Sequence, residues 1–310
     1  MRNLYRWLFM AGLLLMSHAS FATVDKTMDC GSGRGEFPHY SDYSLKILSL
    51  WVSHGDATLI WLPNGEIALV DTGQHFAVKD YLMPFLEQHN IEYIDHLIIT
   101  HYHGDHMAGM LEEKGKKYVG YFYDPQSKRI PVGKFWDYRS FYAGEELEIG
   151  GANFKILNSY YGNEPYGENG QSLSFVIEYR GFRYGLGGDI YADQQNRILQ
   201  NFPDDVRVHV YQTNHHMHGS VSKDYLRKSD PYLFITSAEQ TVYERTAYTE
   251  DLMGVVDELK GKKARFLESL LTLEHGNILI WANHQDDWNY TCRQPGVAFS
   301  KLQDNGLKIE

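Results

Sequence analysis

Cysteine is nearly absent from this 310-residue sequence: there are two, Cys30 and Cys292. Neither sits at a metal-ligand spacing, so a thiolate-built metal centre is not expected. In an oxidising compartment an isolated pair is expected to form a disulfide and tie the two ends of the chain together, the alternative being two unrelated thiols. The chain-entropy model assigns such a closure roughly 4–5 kcal/mol. Long apolar runs are missing as well. The N-terminal one, Trp7 to Met16, would cover only roughly half of a ~30 Å hydrocarbon core. An excess of positive charge is also lacking. The formal net charge is −11, so a broad, nonspecific grip on nucleic-acid phosphates is excluded unless a local basic groove supplies it. There is no serine-centred nucleophile elbow, no phosphate-cradling Gly-x-x-x-x-Gly-Lys loop and no Gly-x-Gly-x-x-Gly after a strand, which removes the usual signatures of serine hydrolases, P-loop enzymes and dinucleotide binders.

What is present is the composition of an ordinary globular protein, 43% hydrophobic and 22% charged, with 23 Tyr and 6 Trp. The first residues, "MRNLYRWLFMAGLLLMSHASFA", follow the charged, apolar, small-residue order of a secretory signal peptide. Cleavage is expected after Ala22, leaving an exported protein, periplasmic or secreted. Loss of Arg2 and Arg6 takes the formal charge from −11 to −13. The expected organisation is a signal peptide (1–22), an N-terminal extension (23–42), one main domain (43–285) and a C-terminal tail (286–310). Strand signals come in runs, from Ser44–Val52 to Asn277–Trp281, and include one long strand over Glu146–Leu157. Helical periodicity appears at Ala77–His89, Ala192–Asn201, Ser222–Lys228 and Thr249–Lys260. This alternation favours an α+β domain of two similar halves, a sandwich of mixed sheets covered by helices, over a parallel doubly wound sheet.

The chemistry concentrates at "THYHGDHMAG", residues 100–109. The β-branched run "YIDHLIIT" reads as a buried strand, and the polar cluster begins where it ends. His101 and His103, two apart, share a face; Gly104 permits a tight turn that brings Asp105 and His106 back toward a second position. Imidazoles and carboxylates are the ligands of zinc above all, with manganese or iron as alternatives. Two later strand ends offer more donors: "FRYGLGGD" ends in Asp189, and "VHVYQTNHHMHGS" carries His215, His216 and His218. Asp56 in "SHGDA" reads as a turn residue, and His75, His89, His96 and His209 as bystanders.

"HYHGDH" resembles the His-x-His-x-Asp-His signature of the metallo-β-lactamase superfamily, with "VDTG" (Val70–Gly73), "GLGGD" and "NHHMHGS" similar to its other motifs. Within it, "LSLWVSHGDATLIWLPNGEIALVDTG" and "ENGQSLSFVIEYRGFRYGLGGD" are similar to the hydrolase domain of ComEC-type DNA-uptake proteins and their soluble relatives. The resemblance implies an αββα sandwich, two mixed β-sheets flanked by helices, with one or two divalent metal ions. It implies that His101 and His103 hold one metal, that Asp105 and His106 hold the other and that Asp189 bridges them. The last histidine ligand would be His215, with His216 the competing choice. Asp71 would orient a ligand histidine. One family histidine has no counterpart: "YGENGQS" stands there, so Glu168 or Asn169 would replace it.

The expected activity is hydrolysis by metal-activated water, with Asp105 or Asp189 orienting the water or taking its proton. The resemblance points to a phosphodiester, in nucleic acid or a smaller molecule, with His216, His218 and Ser220 near its oxygens. Residues 115–142, which mix Lys and Arg with aromatics, would face it; a solvated surface hairpin is the alternative for that segment. Carboxyl-ester, lactone or β-lactam hydrolysis on the same centre, or a binding protein with a degenerate site, are the other readings.

Overall fold

The computed structural model describes residues 44–111, 118–124, 136–160, 167–218, 221–239, 249–262, 268–293 and 295. Fifteen strands among these residues form two sheets. The first runs β15-β14-β1-β2-β3-β4-β5-β6 and the second β13-β12-β11-β10-β9-β8-β7. Each sheet is antiparallel on one side and parallel on the other. In the first, β3 (Ile67–Val70), β4 (Ile94–Ile98), β5 (Tyr118–Asp124) and β6 (Trp136–Ser140) are parallel. In the second, β10 (Phe182–Leu186), β11 (Val210–Gln212), β12 (Leu233–Thr236) and β13 (Glu268–Leu271) are parallel.

Strand alternation sorts the core into layers. In β1 (Leu45–Ser49) and β2 (Thr58–Trp61), Leu45, Ile47 and Ile60 join Phe154, Phe175 and Tyr184 between the sheets. Leu48, Leu59 and Trp61 face the other way, onto Leu82, Phe85 and Leu86 of the helical run 75–88. On the second sheet, Val176, Tyr211 and Phe234 pack against Ile198, Leu226 and Val256. These belong to helices Ala192–Asn201, Lys223–Ser229 and Thr249–Lys262. The result is helix, sheet, sheet, helix, the four-layer αββα sandwich expected above.

Three expectations need correction. The single strand over Glu146–Leu157 is a hairpin, β7 (Glu146–Ile149) and β8 (Ala152–Asn158). Gly150 (φ 56°) and Gly151 (φ 83°) supply the two positive-φ positions that a tight hairpin turn requires. β6 (Trp136–Ser140) was not anticipated. The domain also does not end at 285: β15 (Asp287–Arg293) pairs along β14 (Asn277–His284), burying Trp288 and Cys292 in the inter-sheet core. Cys30, Ser220, the signal segment and, of residues 115–142, positions 115–117 and 125–135 lie outside the described residues. Among the described residues no helix is long and apolar enough to cross a membrane.

Candidate metal centre

The parallel strands of both sheets end at one edge of the sandwich, and their C-terminal loops converge there. β3 leads into Asp71, β4 into His101, β10 into Asp189 and β11 into His215 and His216. Behind the cluster, Asp71 organises the loop after β4. It is fully buried and accepts the Thr100 amide N–H (2.8 Å), the Thr100 hydroxyl (2.6 Å) and His106 Nδ1–H (2.7 Å). That last bond fixes the tautomer of His106 and turns its Nε2 into the cluster, the usual arrangement behind a ligating imidazole. His216 is held in the same way, its Nδ1 donating to the Ser237 carbonyl at 2.8 Å.

Two donors on one tetrahedral ion, each bound at about 2.1 Å, stand about 3.4 Å apart. His101 Nε2 lies 3.4 Å from Asp189 Oδ2, His106 Nε2 3.3 Å from the same oxygen, and His216 Nε2 3.4 Å from Asp105 Oδ2. His101 Nε2 and His103 Nδ1 are 3.1 Å apart. One ligand atom from each of His101, His103 and Asp189 falls within 4.8 Å of the others; so do those of Asp56, His106, Asp189 and His216, and those of His54, Asp105 and His216. His106 Nε2, His216 Nε2 and Asp189 Oδ1 are buried without a hydrogen-bond partner. Buried polar atoms are normally satisfied, and three orphans aimed at one point fit a divalent cation.

The charges agree with that fit. Burial opposes charge on Asp189, but His106, His101 and His216 outweigh it and hold the carboxyl well below its usual range. Burial likewise disfavours an imidazolium at His106 and His216. Asp189 and Asp71 push His106 well above its ordinary value, and Asp189, Asp105 and Asp56 push His216 up to about 9. Protons on these two rings therefore occupy the place of a cation among three carboxylates. His101 is different: burial and its neighbour His106 push it down.

The loops that deliver these groups are strained. Of eight non-glycine residues with positive φ among the described residues, five are Ser53, Asp71, His215, His216 and Met217, at the cluster. Each costs roughly 1–2 kcal/mol, and such strain collects where geometry serves a site.

Of the residues singled out in the sequence, His101, His103, Asp105, His106 and Asp189 come together. Of the two candidates for the final histidine, His216 is the one whose ring nitrogen groups with Asp56, Asp105, His106 and Asp189. His215 Nε2 receives the Asn169 side-chain amide at 3.1 Å and stays 3.8 Å from Asp189, and burial pushes His215 down to about 4. Both rings approach Asp189, His215 Nε2 at 3.8 Å from Oδ2 and His216 Nε2 at 3.8 Å from Oδ1, but His216 also faces Asp105 at 3.4 Å. Glu168 stands behind His103, 3.9 Å from Nε2, on the far side of the ring from His101. Asn169 is buried with its carbonyl oxygen unpartnered. His218 is exposed beside His215, ring centroids 5.3 Å apart. Asp56 is not a surface turn residue: it is 4% exposed and inside the cluster. His54, not considered from the sequence, sets Nε2 3.2 Å from Asp105 Oδ2. The only local hint of both is a histidine and an aspartate flanking Gly55 just before β2.

Compared with known proteins, residues 50–242 match the family model of the metallo-beta-lactamase superfamily. The chain belongs to that superfamily. This metallo-beta-lactamase-fold chain is 25% identical over 215 residues to ComE operon protein 3 of Bacillus subtilis (strain 168). That alignment takes in 60% of the chain but only 27% of the relative, so the chain spans about a quarter of that protein's length. Among solved structures it is similar to CmlA beta-hydroxylase (E377D mutant), with a TM-score of 0.51, 13% identity and coverage of 80% of this chain and 55% of that one. It is also similar to the metallo-beta-lactamase fold protein YhfI of Bacillus subtilis, with a TM-score of 0.46, 12% identity and coverage of 73% and 95%.

Proposed function

We propose that the chain is an exported hydrolase that uses metal-activated water to cleave a phosphodiester, in nucleic acid or a smaller molecule. The observation that carries the metal dependence is the convergence of donors: the buried His106 Nε2 and His216 Nε2, both without a hydrogen-bond partner, lie 3.3 Å from Asp189 Oδ2 and 3.4 Å from Asp105 Oδ2, respectively. On this reading His101, His103 and Asp189 hold one divalent ion. Asp105, His106, Asp189 and His216 hold the other. Zinc suits this mix of imidazoles and carboxylates, as do manganese and iron. Such an ion lowers the pKa of water toward about 7 and offsets charge on a phosphoryl or carbonyl oxygen.

The chain's own residues supply the rest. Asp105, 18% exposed and faced by His54, His106 and His216, orients the attacking water and collects its proton. Burial opposes its charge, yet His216 and His54 hold its carboxyl well below the usual range, so it is ionised and can accept a hydrogen bond from the water. Asp189 keeps the two halves of the cluster at fixed spacing. Asp71 and Ser237 hold the imidazoles of His106 and His216. His103, with its side chain 45% exposed, and the exposed His218 line the mouth, where imidazole N–H groups suit phosphate oxygens. Support for a phosphodiester comes from the resemblance of the motifs to the hydrolase domain of ComEC-type DNA-uptake proteins. Export is supported by the N-terminal charged and apolar pattern.

The test is elemental analysis of the purified mature chain beside His106→Ala and Asp189→Ala. Bis-p-nitrophenyl phosphate, a chromogenic lactone and a chromogenic β-lactam are assayed on the same samples. One or two metals per chain and phosphodiester turnover, both lost in the variants, are expected. Turnover of lactone or β-lactam alone would replace the substrate class. A chain that takes up no divalent ion and turns over none of the three would be a binding protein.

A further inference from the structure

We propose that the carboxylate of Asp56, which lies outside the histidine-rich motifs, is a direct ligand of the second metal position, alongside Asp105, His106, Asp189 and His216. The inference rests on the metal-dependent reading above and adds to it a ligand supplied by the loop before β2.

The loop Ser53–Asp56 is bolted to the metal loop. Ser53 has φ 65° and Gly55 φ 104°. A Cβ on Gly55 would stand 2.0 Å from the Asp105 carbonyl oxygen, so only glycine lets the two backbones approach this closely. The Asp56 amide N–H donates to that same carbonyl (3.2 Å), and Gly73 N–H donates to the Asp56 carbonyl (2.8 Å). The Ser237 hydroxyl donates to the Gly55 carbonyl (2.7 Å), while its own carbonyl holds His216. One residue thus fixes both the Asp56 loop and the last histidine. Such multiple fastening suits a first-contact group of a site more than a surface turn.

The side chain supports the same conclusion. A carboxylate kept for local structure would accept backbone N–H groups, as Asp71 does. Asp56 Oδ1 instead faces the Gln212 side-chain amide at 3.3 Å. Gln212 has no freedom to turn: its carbonyl oxygen accepts the Thr58 and Tyr184 hydroxyls at 3.0 and 2.7 Å, which leaves its NH₂ for Asp56. That is the hydrogen-bonded brace expected behind a ligating carboxylate. Asp56 lies with His106, Asp189 and His216 in a fully buried group of ligand atoms within 4.8 Å of one another. A third carboxylate buried beside Asp105 and Asp189 adds to the negative charge that a cation at the centre would balance. The unpartnered His106 Nε2, His216 Nε2 and Asp189 Oδ1 mark where that cation belongs.

The experiment is zinc titration of the metal-free mature chain against a competing chromogenic chelator, for wild type, Asp56→Asn, His106→Ala and Asp189→Ala, with near-UV circular dichroism to report folding. The expected result is a tighter site whose affinity falls at least about 30-fold in Asp56→Asn, within the range for losing a ligand or its brace. Should Asp56→Asn fold poorly, cobalt(II) bound at one equivalent to wild type gives the answer alone. Five protein donors predict a weak visible spectrum, and an intense tetrahedral one overturns the proposal. Zinc affinity within threefold of wild type in Asp56→Asn, with binding lost in His106→Ala and Asp189→Ala, also overturns it and leaves the metal centre standing. No zinc binding by wild type would remove the metal reading itself.

Discussion

The two ends of the cluster are built to different standards. Around His106 and His216 both rings are buried, each Nδ1 is held by Asp71 or by the Ser237 carbonyl, Asp105 and Asp189 face the Nε2 atoms, and Asp56 belongs to the same group of ligand atoms. Around His101 and His103 the set is thinner: His103 is 45% exposed, Asn169 points its amide at His215, and Asp189 is the one carboxylate in the group. A preorganised site pays less to bind its ion. The comparison therefore predicts a tight metal position and a looser one open to substrate, joined through Asp189.

The largest expected effect removes that joint. Asp189→Ala takes a donor from both positions and leaves His106 with one fewer of the carboxylates that balance it. Both metals should be lost and turnover should fall by on the order of 10³ or more, measured by elemental analysis and phosphodiester assay. Retention of one full equivalent of metal would show that the two ends are independent.

Acidity separates the ends next. In the metal-free chain His216 is pushed up to about 9 and His106 also sits well above its ordinary value, so at pH 7 both carry protons that an ion must displace. His101 is pushed down and is already neutral. Raising the pH from 7 toward 9 should tighten the second position by up to about tenfold per unit for each proton released, while the first changes little. Calorimetry in buffers of different ionisation heat counts those protons; equal release at both positions would break the distinction.

Asp71→Asn tests the brace rather than the ligand. An amide can no longer balance the His106 imidazole, so metal affinity at the second position should drop by about 10- to 100-fold. The first position, which Asp71 does not touch, should hold its affinity. Equal losses at both would mean that Asp71 supports the whole loop through Thr100 instead.

How far the sequence foretold this follows from how local each signal is. His101, His103, Asp105 and His106 lie within six positions after an apolar strand, and Asp189 closes another, so residue type and strand periodicity locate them together. The αββα layers were legible for the same reason. Asp56 was misjudged because one aspartate beside a glycine has the composition of any turn; its burial comes from Gly55 passing the Asp105 carbonyl, a contact across 50 residues. The choice between His215 and His216 depends on three consecutive left-handed residues and on Ser237, neither of which residue spacing encodes. β15 was mistaken for a tail because its polar start, "QDD", reads as an ending, whereas Trp288 and Cys292 alternate into the core.

The smallest expected effect runs in the opposite direction, toward gain. Asn169 stands where the superfamily resemblance implies a histidine, buried at the open end of the cluster with its carbonyl oxygen unpartnered. Asn169→His would place an imidazole there and release His215 from the amide it now accepts. If the first position is loose only because it lacks that donor, its metal affinity should rise by about tenfold or less, with the second position unchanged. Turnover need not rise with it, since an added ligand also takes space that substrate oxygens would use. A competition titration of the second equivalent of zinc reads the difference directly. No change would mean that the open end is limited by the exposure of His103 rather than by a missing ligand. Weaker binding at both positions would mean that the Asn169–His215 pair holds the strained turn through which His216 reaches the cluster.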